Sequence, residues 1–146
     1  MKARRIAFEG LPSPQSAMQR IVSVRFAEVL SQAGGIKSER PSELHALRIG
    51  CKRLRYSLEL FEKELPKLKP AAQRLRQLQD ELGVVHDCDV LLTLAQEHGA
   101  HHVAHRLQRD RARHTMRARA LWADAFAHGG PLGELIAYTG FGATPP

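Results

Sequence analysis

The segment from Glu43 to Leu65, ELHALRIGCKRLRYSLELFEKEL, constrains the fold of this chain more than any other stretch. At about 100° per residue, its apolar side chains fall on one face of an α-helix. That face is formed by Leu47, Cys51, Leu54, Leu58, Phe61 and Leu65. A helix of this kind packs one side against a core, and 146 residues are enough for one domain with such a core.

A second stripe of the same helix carries cationic side chains. His45, Arg48, Lys52 and Arg55 recur at i, i+3, i+7 and i+10, beside the apolar face, and we call them the basic stripe. The stripe rises about 15 Å along the helix axis. Each pair of like charges at this spacing destabilises a helix by roughly a few tenths of a kcal/mol. Glu59, four residues after Arg55, continues the stripe with a negative charge. The pattern therefore favours an anionic ligand.

The composition indicates the class of partner. The net charge is +7, from 22 Lys and Arg against 15 Asp and Glu, which favours a polyanion or an anionic surface. Arginine outnumbers lysine, which suits bidentate contacts with phosphate or carboxylate. Aromatic residues make up 5% of the chain, and none is predicted to serve as a stacking platform among the basic residues.

The cysteines and the hydropathy predict a cytoplasmic protein without a membrane partner. Cys51 lies on the apolar face and Cys88 between two aspartates, with no CxxC spacing, so both are expected to be reduced thiols. No run approaches the roughly 20 apolar residues that span a bilayer. Residues 1–10 lack the apolar run of a signal peptide.

Helical periodicity and the positions of proline and glycine predict an all-α helical bundle of about four to five helices. No segment shows the alternation of a strand. The predicted helices are 13–32, 42–65 with Ser42 as N-cap, 70–82 ended by Gly83, 86–97 and 100–128. In the helix at 86–97 we expect Val90, Leu91 and Leu94 to be buried, and His86 and Asp87 to lie at its start.

The predicted organisation is a single domain. A basic arm, 1–13, precedes the helical domain, 14–128, and a tail containing Gly and Pro, 129–146, follows it. A short turn of helix is expected from residue 131, before the rest of the tail.

Two consecutive segments show a family resemblance. LHALRIGCKRLRYSLELF, followed by LRQLQDELGVVHDCDVLLTLAQ, resembles the CHAD family of histidine-containing α-helical domains over roughly residues 43–97. The resemblance implies a helical bundle whose basic groove binds inorganic polyphosphate without hydrolysing it, and hence an association with polyphosphate granules. It places the family's basic helix on His45, Arg48, Lys52, Arg53 and Arg55, and the second segment on Gln79, Asp80, Leu82, Gly83 and Asp87.

The chain departs from the family in one respect. Such domains usually contain two similar halves, each contributing a basic helix to one groove, and this chain resembles the second half alone. Either one half is sufficient, or two chains pair around a two-fold axis that rebuilds the groove. Of these alternatives we favour the homodimer.

Further basic residues are candidates for the same ligand, with ordinary surface charge as the alternative for each. They are Lys63, Lys67, Lys69, Arg74 and Arg76 after the basic stripe, and His102, Arg106, Arg109, Arg113 and Arg117 along the last long helix. Helix geometry turns Arg53 away from the basic stripe. Tyr56 is adjacent to the stripe, where it could donate its hydroxyl to phosphate or cover the core, and of these we expect the core.

The histidines at 98–105 raise the question of a metal site. His98 with His102, and His101 with His105, have the i, i+4 spacing that can bind zinc or nickel. No carboxylate or thiol completes an HExxH or similar site, so we predict neither a metal nor any other cofactor.

The sequence also lacks the patterns of known catalytic sites. It contains no Ser-His-Asp order, no Walker loop and no paired-carboxylate spacing, so we expect a binding protein and not an enzyme. Two alternatives remain open. One is non-specific nucleic-acid binding through phosphate attraction. The other is a metal-dependent phosphohydrolase, which would need clustered carboxylates.

Overall fold

The computed structural model describes residues 2–139, and within that range it contains helices and no strand. The helices are α1, Pro14–Ser31; α2, Gly35–Ser38; α3, Pro41–Phe61; α4, Lys69–Glu97; α5, His101–Phe126; and α6, Pro131–Thr139, with a 3-10 turn at Pro66–Leu68. The prediction of an all-α bundle is confirmed. The predicted loop before α3 contains the one-turn helix α2.

Helix α1 begins as predicted. The Ser13 hydroxyl accepts a hydrogen bond from the Ser16 backbone N–H, and Pro14 occupies the first turn, where its missing N–H is not needed. The buried face of α1 packs against α3. Gly50 of α3 permits this approach, because a Cβ there would lie 2.6 Å from the side-chain oxygen of Gln32.

Helix α3 has the predicted apolar face, since Leu47, Cys51, Leu54 and Leu58 are fully buried. Its limits differ from the prediction. Arg40 and not Ser42 is the N-cap, because a proline at position 41 fits the first helical turn and allows the helix to begin there. The helix ends at Phe61, four residues before the predicted end.

The two predicted helices at 70–82 and 86–97 are one continuous helix, α4, so the predicted break was wrong. Gly83 lies inside the helix, where it costs about 1 kcal/mol relative to alanine. Leu82 and Val85 on either side of it are buried in the core, and this packing outweighs the local preference for a break. His86 and Asp87 therefore lie in a helix interior and do not cap a helix.

The C-terminal part of α4 is more exposed than predicted. Val90, Leu91 and Leu94 were expected in the core, but their exposed fractions are 49%, 49% and 48%. The reason lies in the antiparallel pairing of α3 and α4, in which His45 lies beside His86 and Arg55 contacts Gln79. Since α3 begins only four residues before His45, the C-terminal end of α4 extends beyond the start of α3. This part of α4 packs against α5.

Helix α5 returns along α4 and is also attached to the α2 region. Arg111 forms an ion pair with Asp89, and its guanidinium donates to the Glu39 carbonyl. Arg119 donates to the Ile36 carbonyl. The interhelical contacts of α5 thus fix its position relative to both neighbours.

Helix α6 lies near the start of the predicted tail, where a short turn of helix was expected, and with nine residues it is longer than a turn. Leu132 and Leu135 are buried in the core, so the packed structure extends beyond residue 128. The rest of that tail, 140–146, lies outside the described residues. None of the helices within 2–139 combines the length and the apolar character needed to cross a bilayer.

Candidate anion-binding site

The basic stripe lies on the side of α3 that faces α4. Arg55 is buried, and the other three side chains are half-buried. The residues of α4 that face the stripe are Gln79, Gly83 and His86. They follow one another at i, i+4 and i+7, so they share one side of the continuous helix.

His45 and His86 form the first part of the site. Their ring centroids are 4.4 Å apart, with the planes tilted by 32°. Burial, together with the charges of His86 and Arg48, lowers the pKa of His45. The buried Nδ1 of His45 has no hydrogen-bond partner among residues 2–139.

Arg48 shows the same property. Its Nε is buried and makes no hydrogen bond within the described part of the chain. A Cβ on Gly83 would lie 3.8 Å from this nitrogen, which is ordinary van der Waals contact. An unsatisfied buried polar group costs about 1–3 kcal/mol. Two such atoms, on His45 and Arg48, lie about one helical turn apart on α3.

Arg55 is already engaged within the protein. Its Nε donates to Gln79 Oε1 at 2.9 Å and its Nη1 to Glu59 Oε1 at 2.8 Å. Arg76 donates to the same oxygen of Glu59 at 2.7 Å. Burial by itself would raise the pKa of Glu59, but the hydrogen bonds from Arg76 and Arg55 outweigh it and lower that pKa. Arg55 therefore has fewer donors left for a ligand than the other members of the stripe.

Tyr56 was expected to cover the core, and that prediction was wrong because 52% of the residue is exposed. The Arg55 guanidinium carbon lies 4.4 Å from the ring centroid, and Lys52 Nζ lies 5.8 Å from it. Tyr56 thus lies beside the basic residues, as its place in the sequence indicated, and the expectation that no aromatic residue there serves as a stacking platform stays a prediction. Arg55 fixes the ring by a cation–π contact, and its exposed part lies beside Lys52.

The other candidates near α3 are dispersed. Arg53 is half-buried, on the side of α3 opposite Arg55. Lys63 and Lys67 are exposed, and Lys67 Nζ lies 4.6 Å from the Tyr138 ring centroid. Arg74 is half-buried. These residues do not form a continuation of the basic stripe.

A depression between the end of α3 and the start of α4 has a volume of about 790 Å³ and is lined by Lys69, Arg76, Glu59 and Glu62, among others. Because acidic and basic side chains both line it, this depression is a weaker anion site than the basic stripe.

The basic residues of α5 form a separate surface, because α4 lies between α3 and α5. Arg109 is exposed, and Arg113 donates to Asp110 at 2.6 Å. The structure thus does not bring Arg109 and Arg113 together with His45, Arg48 and Lys52.

The histidines at 98–105 are divided between two helices. His98 follows the end of α4, and Gly99, with φ of 64°, reverses the chain before α5 begins at His101. His98 and His102 therefore do not have the helical spacing that was assumed for them. Across residues 2–139, no three side chains of the His, Cys, Asp or Glu types are grouped so that they could hold a metal.

Sequence reasoning from the residues alone missed the contribution of His86. The predicted helix break after Gly83 concealed it, because a break removes the common face of Gln79, Gly83 and His86. With one continuous helix, the i, i+4, i+7 spacing would have placed His86 opposite the stripe.

A comparison with known protein families identifies the domain to which most of these helices belong. A family model described as the CHAD domain matches residues 3–96, which is well over half of the chain and includes α1 to α3 and nearly all of α4. Searches of curated proteins and of solved structures found no match.

Proposed function

Since the chain belongs to the CHAD family, we propose that it binds inorganic polyphosphate on the basic stripe of α3 and does not hydrolyse it. The CHAD domain is linked to polyphosphate binding in general. The observation that carries the proposal is that His45, Arg48 and Lys52 line one side of α3 and none of them forms an ion pair within residues 2–139. Phosphate oxygens would supply the missing counter-charges.

The side chains of the stripe would contribute differently. Arg48 offers a planar fork that can contact two phosphate oxygens, whereas Lys52 acts as a compact charge. Once protonated, His45 adds a donor at the N-terminal end of the stripe. Because these groups follow one another along the helix axis, affinity is expected to increase with polymer length and to fall as salt screens the charges.

The carboxylates near the stripe support binding without turnover. Metal-assisted hydrolysis of a phosphoanhydride bond uses acidic side chains that hold the metal beside the phosphate. Glu59, which continues the stripe, is instead hydrogen-bonded by Arg55 and Arg76. It serves to fix Arg55 and is poorly placed to accept a metal.

The test is a binding titration with long-chain polyphosphate. The triple variant His45→Ala, Arg48→Ala, Lys52→Ala is expected to lose at least about a hundredfold in affinity, because hydrogen bonds to charged groups contribute roughly 1.5–3 kcal/mol each. The matched control is Arg109→Ala with Arg113→Ala, which removes charge from α5. Circular dichroism checks that helicity is retained.

A triple variant that binds like the parent would refute the assignment to α3. Loss of polyphosphate affinity in the α5 control alone would move the site to α5.

In a cell that stores polyphosphate, the tagged parent is expected on cytoplasmic polyphosphate granules. The triple variant is expected to be dispersed in the cytoplasm.

One observation favours nucleic acid as a second candidate ligand. The exposed ring of Tyr56 lies between Lys52 and Arg55, and such a ring can stack on a base. Competition between polyphosphate and single-stranded RNA of matched phosphate count separates the two ligands. We expect polyphosphate to win and Tyr56→Ala to affect RNA binding alone, whereas an advantage for RNA that Tyr56→Ala removes would reverse the ranking.

A further inference from the structure

The basic arm at the start of the chain lies against α1 and has no part in the site proposed on α3. A buried carboxylate holds the arm in place. Glu28 of α1, which is 1% exposed, accepts a hydrogen bond from the Arg4 backbone N–H. The Arg25 guanidinium donates both to Glu28 and to the Arg4 carbonyl. These contacts fix the backbone of the arm at Arg4 and leave the Arg4 side chain available.

A depression lies between the arm, α1 and the end of α6, and we call it the arm depression. Its volume is about 650 Å³, within the range of about 300–1,000 Å³ that is usual for sites of small molecules. Two hydrogen bonds attach α6 to α1 beside it. Gln19 donates to the Tyr138 carbonyl at 2.8 Å, and Ser23 donates to the Thr139 carbonyl at 3.4 Å. The arm depression is therefore formed by tertiary contacts on two sides.

Three arginines line the arm depression, and within the described part of the chain no acidic side chain lines it. The arginines are Arg4 and Arg5 of the arm and Arg20 of α1. All three are exposed, and none forms an ion pair with another side chain among residues 2–139. Three like charges around one concave surface raise the local positive potential and attract an anion.

Apolar side chains form the rest of the lining that a ligand could contact. Leu11 and Pro12 belong to the arm, and Val24 and Ala27 belong to α1. Leu11, Val24 and Ala27 are half-buried. An inorganic phosphate would leave these side chains in contact with water, whereas a ligand with an apolar or aromatic part would cover them. The lining thus suits a ligand that combines a charged group with such a part.

The arm depression is separate from the basic stripe of α3. Val22, Phe26 and Val29 of α1 are buried on the face that packs against α3. At about 100° per residue, Arg20 and Val24 project from the opposite side of α1. A ligand in the arm depression therefore does not contact the basic stripe.

We propose that the arm depression binds a small organic phosphate of the class of nucleoside diphosphates and triphosphates. Guanidinium groups bind phosphate oxygens in a bidentate manner, and three of them match the charge of two or three phosphate groups. A single carboxylate would leave two of these arginines without a counter-charge. The nucleoside part covers the apolar lining. This binding goes beyond the proposed function and does not depend on polyphosphate binding.

The test is a calorimetric titration of the full chain with ATP, which is the probe for this class of ligand. The parent is expected to bind ATP saturably. Arg5→Ala combined with Arg20→Ala is expected to weaken ATP binding by about thirtyfold or more, because the variant loses two charge-assisted contacts. The matched control is Arg106→Ala combined with Arg117→Ala, which removes the same charge from exposed positions of α5 and should leave ATP affinity unchanged. Circular dichroism checks that each variant keeps its helicity.

Two further titrations locate the ATP and test the role of the apolar lining. The triple variant of the basic stripe is expected to bind ATP like the parent. Inorganic triphosphate is expected to bind this triple variant about tenfold more weakly than ATP does, because it covers no apolar surface.

The proposal is overturned if the parent does not bind ATP or if the Arg5 and Arg20 variant binds ATP like the parent. Loss of ATP binding in the triple variant of the basic stripe would also overturn it, since ATP would then occupy α3. Equal affinity for inorganic triphosphate and ATP would contradict an organic ligand. Polyphosphate binding is measured separately with the long polymer, so either proposal can fail while the other holds.

Discussion

Replacement of Arg55 by methionine tests whether this residue is mainly structural. Methionine keeps an unbranched apolar side chain of similar length and removes the guanidinium. The change deletes the hydrogen bonds to Gln79 and Glu59 and the contact with the Tyr56 ring. Glu59 keeps its bond from Arg76, so its charge is not left without a partner.

The expected loss of stability follows from these contacts. A hydrogen bond to a charged group contributes about 1.5–3 kcal/mol, and an unsatisfied buried acceptor costs a similar amount. Breaking a buried ion pair costs about 3–5 kcal/mol, but Glu59 is 26% exposed and still paired with Arg76. We therefore expect about 2–3 kcal/mol. With an unfolding entropy of roughly 0.3 kcal/mol/K for a chain of this length, the melting temperature should fall by about 7–10 °C.

Thermal unfolding followed by circular dichroism measures this change, with Arg109→Met as the control. Arg109 is exposed on α5, so its variant should unfold within about 0.5 kcal/mol of the parent. If Arg55→Met unfolds at the parent's temperature while polyphosphate affinity collapses, then Arg55 acts on the ligand and the structural role inferred from its hydrogen bonds is wrong.

The remaining predictions concern pH and two glycines. Because the pKa of His45 is lowered in the folded state, the unfolded chain takes up the proton first, and stability should decrease as pH falls below about 6.5. A bound phosphate chain favours the protonated ring, so polyphosphate affinity should increase as pH falls below about 6.5. If His45→Gln retains the full pH dependence of polyphosphate binding, this prediction is contradicted. Gly83→Ala should raise the free energy of unfolding by up to about 1 kcal/mol, because alanine favours a helix interior and its Cβ makes only ordinary contact with Arg48. A lowered melting temperature would show that α3 and α4 leave no room for this Cβ. Gly130→Ala should be destabilising by denaturant unfolding, because its Cβ would lie 2.5 Å from the Asp124 carbonyl oxygen, and unchanged stability would argue against this close approach.

The features that depend on helical periodicity were predictable from the amino-acid pattern. The buried face of α3 and the relative positions of His45, Arg48 and Lys52 follow from about 3.6 residues per turn, and the structure agrees with them. The start of α1 was equally predictable, because Ser13 and Pro14 act through local hydrogen bonding and backbone geometry. These properties need no information about neighbouring helices.

How the helices meet depends on packing between parts of the chain that are distant in sequence. Whether α4 continues through Gly83 depended on the burial of Leu82 and Val85, which outweighs a single helix-breaking preference. Which nitrogens of the basic stripe remain unsatisfied depended on the register of α3 against α4, which brings Gln79 to Arg55 and His86 to His45. The exposure of Leu91 also depends on the register of α3 against α4. This register sets how far α4 extends beyond α3, and it is fixed by packing between residues distant in sequence.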